Sequence, residues 1–364
     1  MPKGIIIMEW SDRGGGDVIS KFPNEVELSE ATFMQIYANH DSEEDTSIIS
    51  MMVGPLNLVS YFTGEENGYY IILILEMDEE GEVYEDALID AGNIIVESIN
   101  HDTIDMILSS IYHRISLYPK LNSEQLLALM YTSEIKRHIL NRLERDGTIN
   151  KGELNIWLKE VTGSSFIDIE AEVMRLAKYD LIKQATIRGF PTEVLFLMNI
   201  LFITRLPPKL IIQEAVQRGM PQDILDEYKQ IVTEYFKTYL PIQEDNKEIC
   251  EIITEPACYE VLKLLRTSVV TTETLEKLKK KGVDDVQKTL NTMMKADLVC
   301  ELKSSSGQVY YALKSNIRVQ KVYPEHMINI TRQAHKDHIK SPIVLIEHLK
   351  LLKESYLQTV EKRS

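Results

Sequence analysis

Gly4-Ile5-Ile6-Ile7-Met8-Glu9-Trp10 opens the stretch, Pro2 to Leu75, whose reading decides the fold. A run so rich in β-branched residues suits a buried strand. Gly14, Gly15 and Gly16 follow, and glycine tolerates the positive φ that a hairpin tip needs. Val18-Ile19-Ser20-Lys21-Phe22 is then the return strand, ended by Pro23-Asn24. Ser29 and Glu30 open a helix with Phe33, Ile36 and Tyr37 on one face. Three further strands are predicted at 46–53, 57–62 and 69–75. Gly54-Pro55 and Gly64-Glu65-Glu66-Asn67-Gly68 separate them, both turn compositions. Helices are predicted over 83–98 and 101–117. The expected fold class is α+β, with a five-stranded antiparallel sheet and flanking helices in a first domain over residues 1–120.

Charge is divided unevenly along the 364 residues. Residues 1–120 hold 5 basic and 23 acidic side chains, a net of −18, and the rest hold 35 basic and 33 acidic, a net of +2. Blocks such as Glu43-Glu44-Asp45 and Asp78-Glu79-Glu80 repel nucleic acid and anionic lipid and attract a basic protein surface. Each block also reads as a solvated loop. With 26% charged and 44% hydrophobic residues the composition is that of a soluble globular chain. No apolar run reaches the ~20 residues that cross a bilayer, and Glu9 and Asp12 interrupt the first apolar run before it can read as a leader. Cys250, Cys258 and Cys300 are widely spaced and odd in number, which fits a reducing cytoplasm better than a disulfide framework.

After a helical segment at 122–131, the chain carries one pattern twice. Helices at 133–145 and 151–161, and a third capped by Gly163-Ser164-Ser165 with Ile169, Val173, Leu176 and Ala177 inward, are followed by a hairpin turning at Arg188-Gly189-Phe190-Pro191. Two helices at 210–219 and 221–239 and a polar linker, Pro241 to Lys247, then lead to a second set. Its helices span 257–267, 272–281 and 283–296, and its hairpin turns at Ser304-Ser305-Ser306-Gly307. Three short helices and a β-hairpin resemble a winged helix. The expected divisions are a first winged helix at 121–206, a helical connector at 207–247, a second winged helix at 248–325 and C-terminal helices at 326–364. The last helix carries Leu345, Leu349, Leu352, Tyr356 and Val360 at helical spacing. That stripe must be covered, either by folding back, with the second winged helix the expected surface, or by a dimer or other partner.

No phosphate-binding Gly-x4-Gly-Lys-Ser/Thr loop is present, and no cofactor is expected. His335 and His338 share a helix face, but two imidazoles do not close a zinc site. Nucleic acid is the rival partner, since a winged helix places its third helix in the major groove. The candidate contacts are Lys277, Lys280, Lys281, Lys288 and Lys295. Asp284 and Asp285 open that third helix, and Asp168, Glu170 and Glu172 crowd the earlier one, so each helix puts carboxylates where a phosphate would sit. Arg13, on the glycine hairpin, could insert beside a nucleotide's phosphates or pair with Asp12 or Asp17.

The order strand-strand-helix-strand-strand-strand-helix-helix over residues 1 to about 118 resembles the longin, or SNARE-like, fold of trafficking adaptors and small-GTPase regulators. Followed by tandem winged helices, it is similar to the nitrogen-permease-regulator-like subunits that act on Rag-type GTPases, and it suggests an archaeal chain of eukaryote-like type. Winged-helix pairs that do not bind DNA also occur in endosomal sorting complex two. The resemblance implies a catalytic arginine on the loop after the first helix, but His40-Asp41-Ser42-Glu43-Glu44-Asp45 has none. What it leaves is a non-enzymatic interaction protein that docks a small GTPase or a longin- or roadblock-type partner. Arg13, Gly14, Gly15, Gly16, Glu43, Glu44 and Asp45 are the candidate partner-binding residues, and a homo- or hetero-oligomer is compatible with them.

Overall fold

The structure, a computed structural model, describes residues 1–11, 15–42, 47–65, 67–163, 167–281, 283 and 285–361. The chain divides into two compact units, Met1–Leu121 with Asp168–Ala171, and Asn122–Ile167 with Glu172–Ser364.

In the first unit the elements are β1 (Gly4–Ser11), β2 (Gly15–Phe22), α1 (Glu30–Ser42), β3 (Ile48–Val53), β4 (Leu56–Phe62), β5 (Tyr69–Leu75), α2 (Glu82–Asn100) and α3 (Ile104–Leu117). The strands form one antiparallel sheet in the order β2-β1-β5-β4-β3. Ile6, Met8, Leu58, Tyr70, Ile72 and Ile74 point to one face and close a core with Phe33 and Ile36 of α1. Helices α2 and α3 pack on strands of the same sheet, with Phe22 of β2 against the Tyr112 ring of α3 and Ser20 donating to Asp105 at 2.5 Å. The alternate residues Ile5, Ile7, Ile71, Leu73 and Leu75 are buried as well. Burial on both faces explains why β1 and β5 are continuous apolar runs rather than alternating ones.

Most of the second unit is two copies of one element order. The first is α4 (Ser123–Thr132), α5 (Glu134–Asp146), β6 (Thr148–Asn150), α6 (Lys151–Thr162), α7 (Ile169–Lys178), β7 (Ile182–Ala185), β8 (Val194–Leu197) and β9 (Ile200–Leu206). Next come α8 (Lys209–Gln213) and α9 (Leu225–Thr238). The second copy is α10 (Gln243–Thr254), α11 (Pro256–Leu265), β10 (Val270–Thr271), α12 (Thr272–Glu276), α13 (Val286–Lys295), β11 (Val299–Lys303), β12 (Val309–Leu313) and β13 (Asn316–Val322), and α14 (His326–Lys336) and α15 (Pro342–Glu361) end the chain. The copies have matching sheets, β6-β8-β7 and β10-β12-β11. Their third helices also end alike: Lys178-Tyr179-Asp180-Leu181-Ile182 and Lys295-Ala296-Asp297-Leu298-Val299 each place the aspartate at positive φ, 55° and 56°. Aspartate is one of the few residues that visits this region readily.

The copies are joined like to like. Helix α4 lies against α10, and β9 pairs antiparallel with β13 from Ile200↔Val322 to Leu206↔Asn316. Each copy's trailing helices then cross to the other copy. After β9, Ile211, Ala215, Met220, Ile224, Tyr228 and Val232 pack on Cys300, Leu302 and Ala312 of the second sheet. After β13, Val344 and Leu351 pack on Val194, Phe196 and Met198 of the first. The two crossings end in matching hydrogen bonds: the Tyr228 hydroxyl donates to Leu313 O at 2.8 Å, and His348 Nε2 donates to Leu197 O at 2.9 Å. Burial holds the His348 pKa below its ordinary value, so the ring is neutral and keeps one N–H for that bond.

Several elements differ from the sequence reading. The last helix covers the first repeat, not the second, because its buried stripe is Val344, Leu345, His348, Leu351 and Leu352, while Tyr356 is exposed. Val360 lies among residues whose side chains are not described. The expected linker 241–247 is helical from Gln243, because Ile249, Ile252 and Ile253 give α10 a buried face. The helix expected at 210–219 stops at Gln213, and the one expected at 272–281 changes to a 3-10 turn at Lys277–Lys281.

The two copies are not electrostatically equivalent. Arg266, one residue past the buried Leu265, makes a two-pronged contact with Glu124 at 2.8 and 3.0 Å. The first copy has Glu144 one residue past the buried Leu143. Among the described residues no cation pairs with it, and burial pushes its carboxyl up to about 7 from 4.5. Only the folded state holds that proton between those values, so stability should fall as pH rises through the window. Glu144→Gln should remove the slope and raise stability at pH 8 by about 1–3 kcal/mol. Urea midpoints from pH 5 to 8 check this, and midpoints of variant and parent falling in parallel would refute it.

Candidate interaction surfaces

The sequence-predicted partner residues are described only in part. Arg13, Gly14, Glu43, Glu44 and Asp45 lie outside the described residues. Gly15 takes φ +80° where β2 begins. Gly16 faces Trp10 across the ladder, and a Cβ there would come within 2.7 Å of Met8 Sδ and 3.1 Å of Phe33 Cβ. Glycine is therefore required for close packing of the hairpin on α1. Beside it Trp10 stacks on Tyr37 with ring centroids 4.5 Å apart, and Tyr37, His40 and Phe62 surround Tyr70. Burial, with Tyr37 and Asp41 adding to it, pushes the Tyr70 hydroxyl up to about 12. His40 Nε2 and Ser60 Oγ are 3.0 Å apart, but Ser60 is fully buried. A substrate cannot reach that hydroxyl, so this contact belongs to the core rather than to nucleophilic chemistry.

Other reactive groups are similarly enclosed. All three cysteines are buried, and burial raises their thiol pKa values, Cys258 and Cys300 to about 12. Such thiols stay protonated and are poor nucleophiles. Among the described residues no group of three or more His, Cys, Asp or Glu converges as a metal site, and no helix is long and apolar enough to cross a membrane.

The rival nucleic-acid residues are Lys277 and Lys280 on the 3-10 turn and Lys288 and Lys295 on α13, all exposed, while the Lys281 side chain is not described. Acids hold the places a phosphate would take at the described helix starts. Asp285 caps α13 by accepting from Lys288 N at 2.9 Å. Asp168 accepts from Ala171 N at 3.0 Å at the start of α7, and Asp284 is outside the described residues. At the tip of the second hairpin a single oxygen of Asp223 accepts from Ser304 Oγ, Ser305 N and Ser305 Oγ at 2.8, 2.7 and 2.6 Å. Those bonds, led by the Ser305 hydroxyl, hold the Asp223 carboxyl at about 2. Sequence reasoning missed this contact, since no local pattern links Asp223 to a turn about 80 residues later.

Comparison with known family models, with curated proteins and with solved structures finds no match.

Proposed function

We propose that the chain is a non-enzymatic interaction protein. Its sheet unit has longin-like character and docks a small GTPase or another longin-type sheet through a basic surface of that partner. Its two repeats are winged helices serving as protein-binding modules. The observation that carries this reading is the concentration of charge, −18 within residues 1–120. Such a field accelerates encounter with cationic proteins and opposes encounter with polyanions.

The five-stranded order β2-β1-β5-β4-β3 with flanking helices is compatible with a longin-like sheet. Against the nucleic-acid reading stand the aspartates at the helix starts and at the hairpin tip. The test is capture of small GTPases, loaded with GDP or with a GTP analogue, by the full chain at low salt. Retention that fades with added salt is expected. Failure to retain any in either nucleotide state, together with a gel shift of duplex DNA at low salt, would overturn the proposal in favour of the rival.

A further inference from the structure

We infer that one end of the sheet unit, formed by β3, the β5–α2 connection and the first turn of α2, docks a basic amphipathic helix. The inference rests on the reading just given and places the cationic partner on particular side chains.

Three apolar side chains are exposed there: Met52 at 55%, Met77 at 54% and Val83 at 40%. They come from three segments, and the structure fixes those segments together. Met52 is the cross-strand partner of Asn57. The Asn57 amide donates to Glu76 O at 3.0 Å and to Glu79 O at 2.7 Å, which ties the connection carrying Met77 to that strand end. At Gly81 a Cβ would come within 2.6 Å of Ser50 Oγ and 2.8 Å of Val59 Cγ2, so α2 and Val83 start directly against the same strands. Ser50 also donates to Glu85 Oε1 at 3.1 Å. Scattered surface apolar residues are ordinary, but a patch assembled on fixed segments is characteristic of a docking surface.

The rim says what would cover it. Glu76, Asp78, Glu80 and Glu82 are exposed around the patch. Glu79 is occupied, accepting from Glu76 N at 3.1 Å and from the Tyr84 hydroxyl at 2.8 Å, and Glu76 pairs with Lys3 at 3.1 Å. Among the described residues no cation pairs with Asp78, Glu80 or Glu82. Crowded like charges gain most from a partner that brings cations. Methionine is unbranched and polarisable, so two of them adapt to varied apolar side chains. An amphipathic helix with a leucine or isoleucine stripe and flanking lysines or arginines meets both requirements, in the helix-on-apolar-surface mode. A bilayer of anionic lipid or a nucleic acid would meet the same carboxylates with repulsion.

The test uses the full chain and a fluorescent leucine/lysine amphipathic peptide of about 18 residues, long enough to form a helix once bound, with polylysine of equal charge as control. Anisotropy should show the peptide binding more tightly than polylysine. Met52→Ser/Met77→Ser should weaken the peptide about tenfold or more and leave polylysine unchanged, with an unaltered circular dichroism spectrum. Glu80→Lys/Glu82→Lys should weaken both and flatten the salt dependence. Equal binding of peptide and polylysine, or an unaffected methionine variant, would overturn the inference. So would cosedimentation with phosphatidylserine vesicles, or self-association of the parent lost in the methionine variant, each of which assigns the patch to another occupant. If the parent captures small GTPases but binds the peptide no more tightly than polylysine, this site falls and the broader reading stands.

Discussion

Removal of residues 342–364 should unfold the first repeat and leave the second folded. Without α15, Val194 and Phe196 lose the cover that Val344 and Leu351 supply, and Leu197 O loses its donor, His348. Val344, Leu345, Leu351 and Leu352 are all buried. At roughly 1.5–3 kcal/mol for each buried aliphatic side chain, the loss is on the order of 6–12 kcal/mol. That is comparable with the whole stability of an ordinary domain. The second sheet keeps its cover, because that cover comes from Tyr228, Val232 and their neighbours before α10. Hydrogen exchange of the truncated chain should therefore show lost protection in β6, β7 and β8 and retained protection in β11 and β12. Lost protection in β11 and β12 with β8 intact would mean that the last helix covers the second repeat instead.

The second large effect is expected at Arg205. It leaves β9, is 4% exposed, and donates to Asp245 through Nε at 2.9 Å and Nη2 at 2.6 Å. Its Nη1 reaches Ala296 O at 2.6 Å and Ser315 Oγ at 3.1 Å. One side chain thus ties the end of the first repeat to α10 and to two segments of the second. Burial works against its charge, but the hydrogen bonds it donates to Asp245 outweigh it and the guanidinium pKa rises above its ordinary value. Arg205→Met should leave Asp245 with the Tyr239 hydroxyl, 2.9 Å away, as its remaining described partner. Removing one member of a buried pair costs about 3–5 kcal/mol, whereas replacing both by apolar groups is often close to neutral. Urea denaturation should show that loss for Arg205→Met and recovery of most of it in Arg205→Met/Asp245→Leu. Equal losses in the single and double variants would mean that the pair's charge does not govern stability here.

The sheet unit was legible because its signals are local. Ile5-Ile6-Ile7 and Tyr70-Ile71-Ile72-Leu73-Ile74-Leu75 need no distant information to read as buried strands, and Gly15 and Gly54 mark turns by positive φ. Errors there were confined to ends, as at His101 to Thr103, where Asp102 takes φ +56° and delays α3 to Ile104. In the second unit the order of each repeat was legible but its partners were not. Strands β9 and β13 were missed because neither has a neighbour within its own repeat, and each finds its ladder only in the other. The stripe of α15 was misplaced because it runs through His348, a polar residue that earns burial by bonding Leu197 O and by lying 3.5 Å from Thr331 Oγ1. The duplication itself was legible as three short helices and a hairpin occurring twice, while the paired Lys-x-Asp-Leu stretches at 178–181 and 295–298 stand out once the two copies are laid side by side. Met52, Met77 and Val83 carry no shared sequence signal, since Asn57 and Gly81 bring them together only in the folded sheet.

Zero-length carbodiimide crosslinking of the full chain to a captured GTPase, read by mass spectrometry, tests the central claim most directly. It joins carboxylates to amines in contact, so acidic residues within 1–120 should couple to lysines of the partner. Crosslinks formed instead through Lys277, Lys280, Lys288 and Lys295 to the partner's acids, with residues 1–120 untouched, would contradict the account.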